Sequence, residues 1–374
     1  MGSLKLTVAA LIAGAFLVFI GTMVQTDLGL YEVQERYFRS LFIKWSPGKS
    51  DFALPVFPGG YLIGAVLLVN LIASLALRLI VNRRTIGLLL VHAGIILLLA
   101  GQLVTDMYQV ESHMRLSVGQ PANYSESGRL VELAVIDSSN PKADTVISIP
   151  QDRLESSAEI RHGQLPFTIQ VRKFYSNSRL NRAENPAARD SRITKGLGTD
   201  LEVKSLPLAV KSEERNLPSA IVELKGPQGV LGSWLTSVWL EDKQPVEVGG
   251  KTYQLVMRFA RYYKNFSLEL KEFRHDKYQG TEIPRNFSSR VRLRQEEKGE
   301  DREALIFMNN PLRYGGETFY QSGYDENDPR VSILQVVQNP GWRVPYISCL
   351  VVTAGLLWQF LMHLVGFLKE RKNA

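Results

Sequence analysis

Four stretches of this 374-residue chain carry no charged side chain: Leu6–Thr26, Phe52–Leu77, Thr85–Thr105 and Val344–Leu368. Each holds an apolar segment near the roughly 20 residues a helix needs to cross about 30 Å of hydrocarbon. Nothing else constrains the fold as strongly, because backbone polar groups in lipid must be satisfied inside helices or closed barrels. The mean hydropathy of the whole chain is near zero, an average that hides three apolar spans, a long polar region and a fourth span. The first stretch follows Lys5 as a signal peptide would, but no small-x-small cleavage site follows it before Gln25-Thr26-Asp27. A retained anchor is expected.

Positive charge in the short loops sets the expected direction. Lys5, the cluster Arg78, Arg83 and Arg84, and Lys369, Arg371 and Lys372 all fall on one side if the four spans alternate. That side is the cytoplasm, with both termini in it. Arg36, Arg39, Lys44 and Lys49 in the Gln25–Gly60 loop run against the rule, beside four acids, Asp27, Glu32, Glu35 and Asp51. The expected layout is an integral membrane protein with four transmembrane α-helices. A large, mostly antiparallel, sandwich-like β domain lies on the outer face. Residues 1–105 hold three helices, 106–343 the β domain, 344–368 the fourth helix and 369–374 a cytoplasmic tail.

After the first span, Leu30, Val33, Tyr37, Leu41 and Trp45 recur at helical spacing, widened by Tyr31, Phe38 and Phe42. This predicts an amphipathic helix near 30–45 lying in the interface or packing under the outer domain. Pro55, Pro58, Gly59 and Gly60 then break the chain. Period-two runs at 130–136, 167–171, 220–224, 253–258, 266–270 and 331–337 predict strands. The polar stretch 176–216 has little periodicity and reads as a long loop or a partly helical insertion.

The net charge of +7 does not point to nucleic acid, since many cations are topological anchors and no basic-aromatic stacking pattern accompanies them. The single cysteine, Cys349, lies in the fourth span, so the outer domain has no disulfide, redox pair or zinc cluster. Gly-x-Ser-x-Gly, a P-loop, a dinucleotide turn and His-Glu-x-x-His are all lacking. No catalytic residue is assigned, and the chain is not expected to be an enzyme by itself.

His92 is the sharpest feature: the sole ionisable residue of the third span. Intramembrane histidines line protein interiors, relays or cofactor sites, and a neutral imidazole is a common axial ligand of haem iron. A packing histidine bonded to a carbonyl or hydroxyl is the bland alternative, and position alone leaves both open. Gly87, Gly94 and Gly101 recur every seven residues as a close-packing seam, and His92 lies roughly 140° round the helix from Gly87. It therefore faces a second surface. His363 in the fourth span is the other candidate; counting about 1.5 Å per residue places both imidazoles some 10 Å from the cytoplasmic ends. That depth would permit an internal bis-histidine site; a histidine reaching toward headgroups is the alternative. His113, His162 and His275 read as surface or strand residues without metal-ligand spacing.

An ordered set of segments resembles the ResB family of system II cytochrome c biogenesis proteins. It runs through Gly21-Thr22, Gln25–Tyr31, Glu35–Phe38, Phe57–Gly60, Val91-His-Ala-Gly94 and Phe273–Tyr278. It continues through Gly280-Thr281, Pro284, Asn286–Ser289, Asn310–Gly316, Thr318–Ser322 and Asn339-Pro-Gly341. The resemblance implies work with a second membrane protein, CcsA, to move haem outward and present it to the Cys-x-x-Cys-His of apocytochrome c. It also implies that His92 is an axial ligand to a haem b in the membrane, the opposite ligand coming from CcsA. The five tryptophans are scattered, so the chain lacks the Trp-rich haem-handling segment of the partner. The Asn310–Gly316 and Thr318–Ser322 segments read mainly as turn and core-strand residues. A quinol-oxidising haem b protein using His92 and His363, or a cofactor-free outer binding module, are the competing readings.

Overall fold

The computed structural model describes residues 2–45, 53–78, 82–140, 143–156, 159–185, 189–209, 214–277, 279–280, 284–325, 328 and 330–373. Lys49, Asp51, Tyr278 and Thr281, named above, lie outside the described residues, as do parts of 176–216. The chain divides into two compact units. One joins Met1–Val110 with Gln338–Ala374; the other is built from Glu111–Ala209 and Glu213–Val337.

The first unit contains α1 (Leu4–Val33), α2 (Gly60–Arg78) and α3 (Ile86–Tyr108). In the second, α4 (Gln151–Glu155) is a single turn; α5 (Val344–Asn373) returns to the first. Among the described residues four helices are long and apolar enough to cross a membrane: Leu4–Phe38, Gly60–Leu77, Ile86–Tyr108 and Val344–Lys372. They pair as α1 on α2 and α3 along α5. Asn70 of α2 is buried and serves the start of α1: its Oδ1 accepts from the Gly2 and Ser3 amides (2.7 and 3.0 Å). Its Nδ2 donates to Thr7 Oγ1 at 2.7 Å. Helix-start amides have no intrahelical acceptor, so this side chain supplies one where lipid cannot.

The amphipathic helix expected near 30–45 is only half there. The helix runs on from α1 through a break at Gly29 (φ 76, ψ 161) and a π-helical turn, Gln34–Phe38. Phe42–Trp45 is instead a strand, paired antiparallel with Leu54–Pro58. Helical spacing loses there because the partner strand lies outside any local window, and glycines let the chain close on itself. A Cβ on Gly60 would sit 2.5 Å from the Phe38 carbonyl oxygen, one on Gly59 would strike the Ser40 carbonyl, and one on Gly21 would lie 2.9 Å from the Phe38 ring.

The second unit is antiparallel β. Its largest sheet runs in spatial order Glu300–Phe307, Pro284–Gln295, Lys251–Lys277, Pro121–Asp137, Val110–Ser117, Val331–Gln338, Glu317–Tyr324 and Leu312–Tyr314. Gln244–Val248 adds beside the long strand Lys251–Lys277, and Thr145–Pro150 beside Pro121–Asp137. A four-stranded sheet of Gly229–Ser237, Ser219–Gly226, Thr168–Tyr175 and Glu159–Ile160 supplies the facing layer. Leu133, Val135, Tyr253 and Leu255 bury against Ile169, Val171, Ala220 and Val222, a sandwich core. The same two long strands then leave that core, with register shifts between Phe259 and Arg261 and between Tyr263 and Leu268. Beyond the shifts Leu268 and Leu270 enter a second core with Met114, Val291, Ile306 and Phe319. Strands from both ends of the spatial order contribute to it, so this half of the sheet curves round its own interior. Within 176–216 the described residues include a strand pair, Ser178–Arg182 with Leu201–Ser205, rather than a helix.

Candidate functional site

The α3–α5 pair is built from missing side chains. A Cβ on Gly87 would lie 2.7 Å from the Gly355 carbonyl oxygen and one on Gly94 2.6 Å from Val352 Cγ2; one on Gly101 would overlap Val344. The heptad glycines are all buried. Lipid provides no hydrophobic drive between helices, so close backbone approach supplies the contact that holds them. The turn before α5 is fixed similarly, with Asn339 Oδ1 accepting from the Gly341 amide at 2.8 Å and from Thr105 Oγ1 at 3.3 Å.

His92 lies off this seam and is half-buried. Its Nδ1 stands 2.8 Å from the Leu88 carbonyl oxygen, one turn earlier. A carbonyl can only accept, so Nδ1 carries the proton and donates. The tautomer is thereby set and the lone pair is on Nε2, the state in which imidazole can bind a metal. A packed histidine would make the same carbonyl bond, so the geometry serves a ligand and a packing residue alike.

His363 is placed differently. Gln359 backs onto α3, 2.9 Å from where a Gly87 Cβ would be. Its Nε2 amide donates to His363 Nε2 at 3.0 Å, occupying that lone pair. His92 is five residues beyond Gly87 in one direction and His363 four beyond Gln359 in the other. At about 1.5 Å per residue the imidazoles are some 13 Å apart along the helix pair. One iron would need both nitrogens at about 2 Å, the usual metal–imidazole bond. The matched depth inferred from counting to the ends of the spans does not hold, because α5 extends to Asn373 and sets Gln359 level with the start of α3.

At the other end of these helices Arg39 donates to Asp106 Oδ1 (2.8 Å) and to Glu35 Oε1 (2.7 Å), and Tyr61 donates to Asp106. The Glu35 and Asp106 carboxylates hold the Arg39 guanidinium further above its ordinary range. This knot ties the end of the α1 segment, the start of α2 and the end of α3. It gives Glu35 a positioning role that spacing alone did not reveal.

The late motif segments are explained by the second β core. Gly315 and Gly316 (φ 61 and 82) make a two-residue hairpin turn between Tyr314 and Glu317, the left-handed conformations that glycine adopts freely. Phe319 is fully buried, and Gln321 Nε2 donates to Ser332 Oγ (3.1 Å) while its Oε1 accepts from Ser289 Oγ (2.7 Å). Lys264, almost fully buried, pairs with Glu317 at 2.7 Å. His275 is not a plain surface residue. Its ring stacks on Phe287 (4.6 Å between centroids, 21°) and leans on Tyr324 (4.6 Å), with its Nε2 buried and unpartnered. Phe273 and His275 share one face of a strand, so period-two reading of Phe273-Arg-His275 contained that signal. His113 is half-buried and held below the ordinary imidazole value, mainly by burial and also by Arg215.

Residues 229–333 match the ResB-like family. Protein NrfI of Wolinella succinogenes is 35% identical over 125 residues, which is 33% of this chain and only 13% of that protein. The family match begins in the sandwich and takes in the Lys251–Lys277 strand, the Gly315-Gly316 hairpin and Phe319 of the second core. This match covers the motif segments from Phe273 to Ser322, while Val91–Gly94 with His92 lies outside it.

Proposed function

We propose that this chain is the ResB-like subunit of a cytochrome c haem-attachment complex of the bacterial cytoplasmic membrane, acting with a CcsA-type membrane partner. The observation that carries the reading is His92: an imidazole inside a span, its Nδ1 anchored to Leu88, on a helix face away from the buried glycine seam. Such a nitrogen would hold the iron of a haem b shared with another protein. Haem supplies the group to which the cysteine thiols of Cys-x-x-Cys-His in apocytochrome c become joined. The chain's contribution is positional. The glycine seam fixes α3 against α5, the Leu88 carbonyl fixes the tautomer, and the Arg39–Asp106–Tyr61 knot fixes the far end of α3. The cations at 5, 83, 84, 369, 371 and 372 favour cytoplasmic termini, an orientation that would leave the β unit on the outer face, where apocytochrome is met.

The test is a set of absorption spectra from the chain alone and with a CcsA-type partner, as wild type, His92→Ala and His363→Ala. Low-spin haem b that requires the partner and is lost in His92→Ala is the expected result. Bis-histidine haem in the isolated chain, abolished by His363→Ala, would overturn the proposal in favour of internal electron transfer.

A further inference from the structure

The polar stretch 176–216 lies outside the membrane spans that carry His92, and it presents an apolar ridge. Leu206 and Leu208 are 37% and 57% exposed, and Trp239 beside them is 45% exposed. Hollows of about 440 and 320 Å³ flank the ridge, the first lined by Trp239 and Arg215, the second by Lys173 and Tyr175.

The ridge is held in this shape by specific bonds. Asn177 donates from Nδ2 to the Pro207 carbonyl (2.6 Å) and accepts at Oδ1 from the Leu217 amide (3.0 Å). The Asn177 carbonyl accepts from the Leu206 amide at 2.9 Å, and Asn216 Oδ1 accepts from the Ala209 amide at 2.7 Å. Trp239 Nε1 donates to the Ser178 carbonyl at 2.8 Å, so its polar atom is satisfied while the residue stays exposed. A segment that merely failed to bury its leucines would not be pinned this way.

We propose that this ridge docks on the lipid surface of the membrane that the same chain spans. Three observations favour lipid over a protein. The polar groups just named are satisfied within the chain, so an apolar medium leaves none of them unpaired, whereas a protein interface gains specificity by engaging such groups. Leucines with a tryptophan between basic residues are the composition of interfacial segments, and Lys173 and Arg215 on either side suit anionic headgroups. Glu214, also on the rim, is the one acid among the described lining residues. Finally, the four spans tether the β unit to a bilayer at all times, which makes lipid the apolar surface always within reach. The proposal is independent of haem.

The experiment uses the full chain in nanodiscs containing brominated anionic lipid. An environment-sensitive fluorophore is placed at Leu208→Cys, or at Val230→Cys as control, both with Cys349→Ser. Val230 is 62% exposed at the far end of the Ser219–Ser237 hairpin. The label at 208 should shift to the blue and lose most of its emission to the bromines, while the label at 230 keeps both. Lys173→Glu with Arg215→Glu should restore much of the lost emission. Equal emission at 208 and 230 would overturn the proposal. So would a blue shift at 208 without quenching, since that means protein covers the ridge. His92→Ala should leave these signals unchanged.

Discussion

The α3–α5 helix pair and the second β core solve the same packing problem in opposite ways. In the helix pair the decisive positions are glycines, where any added carbon meets Val344, Val352 or Gly355. In the β core they are filled positions: Phe319 is fully buried, with the Phe266 ring edge-on to it at 6.0 Å. Water drives apolar side chains together in the β unit, so bulk is the stabilising quantity there. Lipid gives helices no such drive, so contact comes from close approach and from polar groups that find partners. One region should therefore fail when atoms are removed, the other when atoms are added.

Phe319→Ala should show the largest loss, about 3–5 kcal/mol for a buried phenylalanine. Urea titration of the full chain, followed by proteolysis of the β unit, would register it as a large fall in midpoint; an unchanged midpoint would break the comparison. Gly94→Leu should cost about 1–3 kcal/mol by overpacking. Loss of disulfide cross-linking between cysteines placed on α3 and α5 would detect it, while Phe319→Leu should leave that cross-link intact. A smaller effect is expected at Asn70→Leu, about 0.6–1.7 kcal/mol, the range for polar contacts between membrane helices. It would appear as faster proteolysis of the α1 amino-terminal turn.

The smallest effect concerns His113. Its imidazole is held below the ordinary 6.5 by burial, with Arg215 adding to the depression and Glu111 opposing it. The unfolded chain therefore takes up the proton first, so this contribution to stability is complete above the ordinary value and is lost as pH falls through the folded value. Melting temperature between about pH 7 and pH 5 should decline more steeply for wild type than for His113→Gln. Parallel curves would show that the burial has no thermodynamic consequence.

What was legible in the sequence follows the same division. The spans could be read because charge is absent over lengths near that of a bilayer crossing, and the strands because alternation is local. The heptad of Gly87, Gly94 and Gly101 placed His92 on a second surface before any coordinates, since one helix is enough to compute that angle. Properties that depend on a distant partner were not legible. Phe42–Trp45 looked helical until Leu54–Pro58 paired with it. Asn70 was hidden because its acceptor role needs the start of α1 sixty-odd residues away. The depth of His363 was misjudged because register between antiparallel helices is set by Gly87 against Gln359, not by distance to the ends of the spans.

The central claim is that His92 offers its Nε2 to an iron rather than serving as packing. Replacing it by glycine in the complex with the CcsA-type partner and adding imidazole tests this most directly, because free imidazole can replace a ligand but not a packing residue. The account predicts that His92→Gly loses the low-spin haem spectrum and that imidazole restores it. A wild-type spectrum in His92→Gly without imidazole would contradict it.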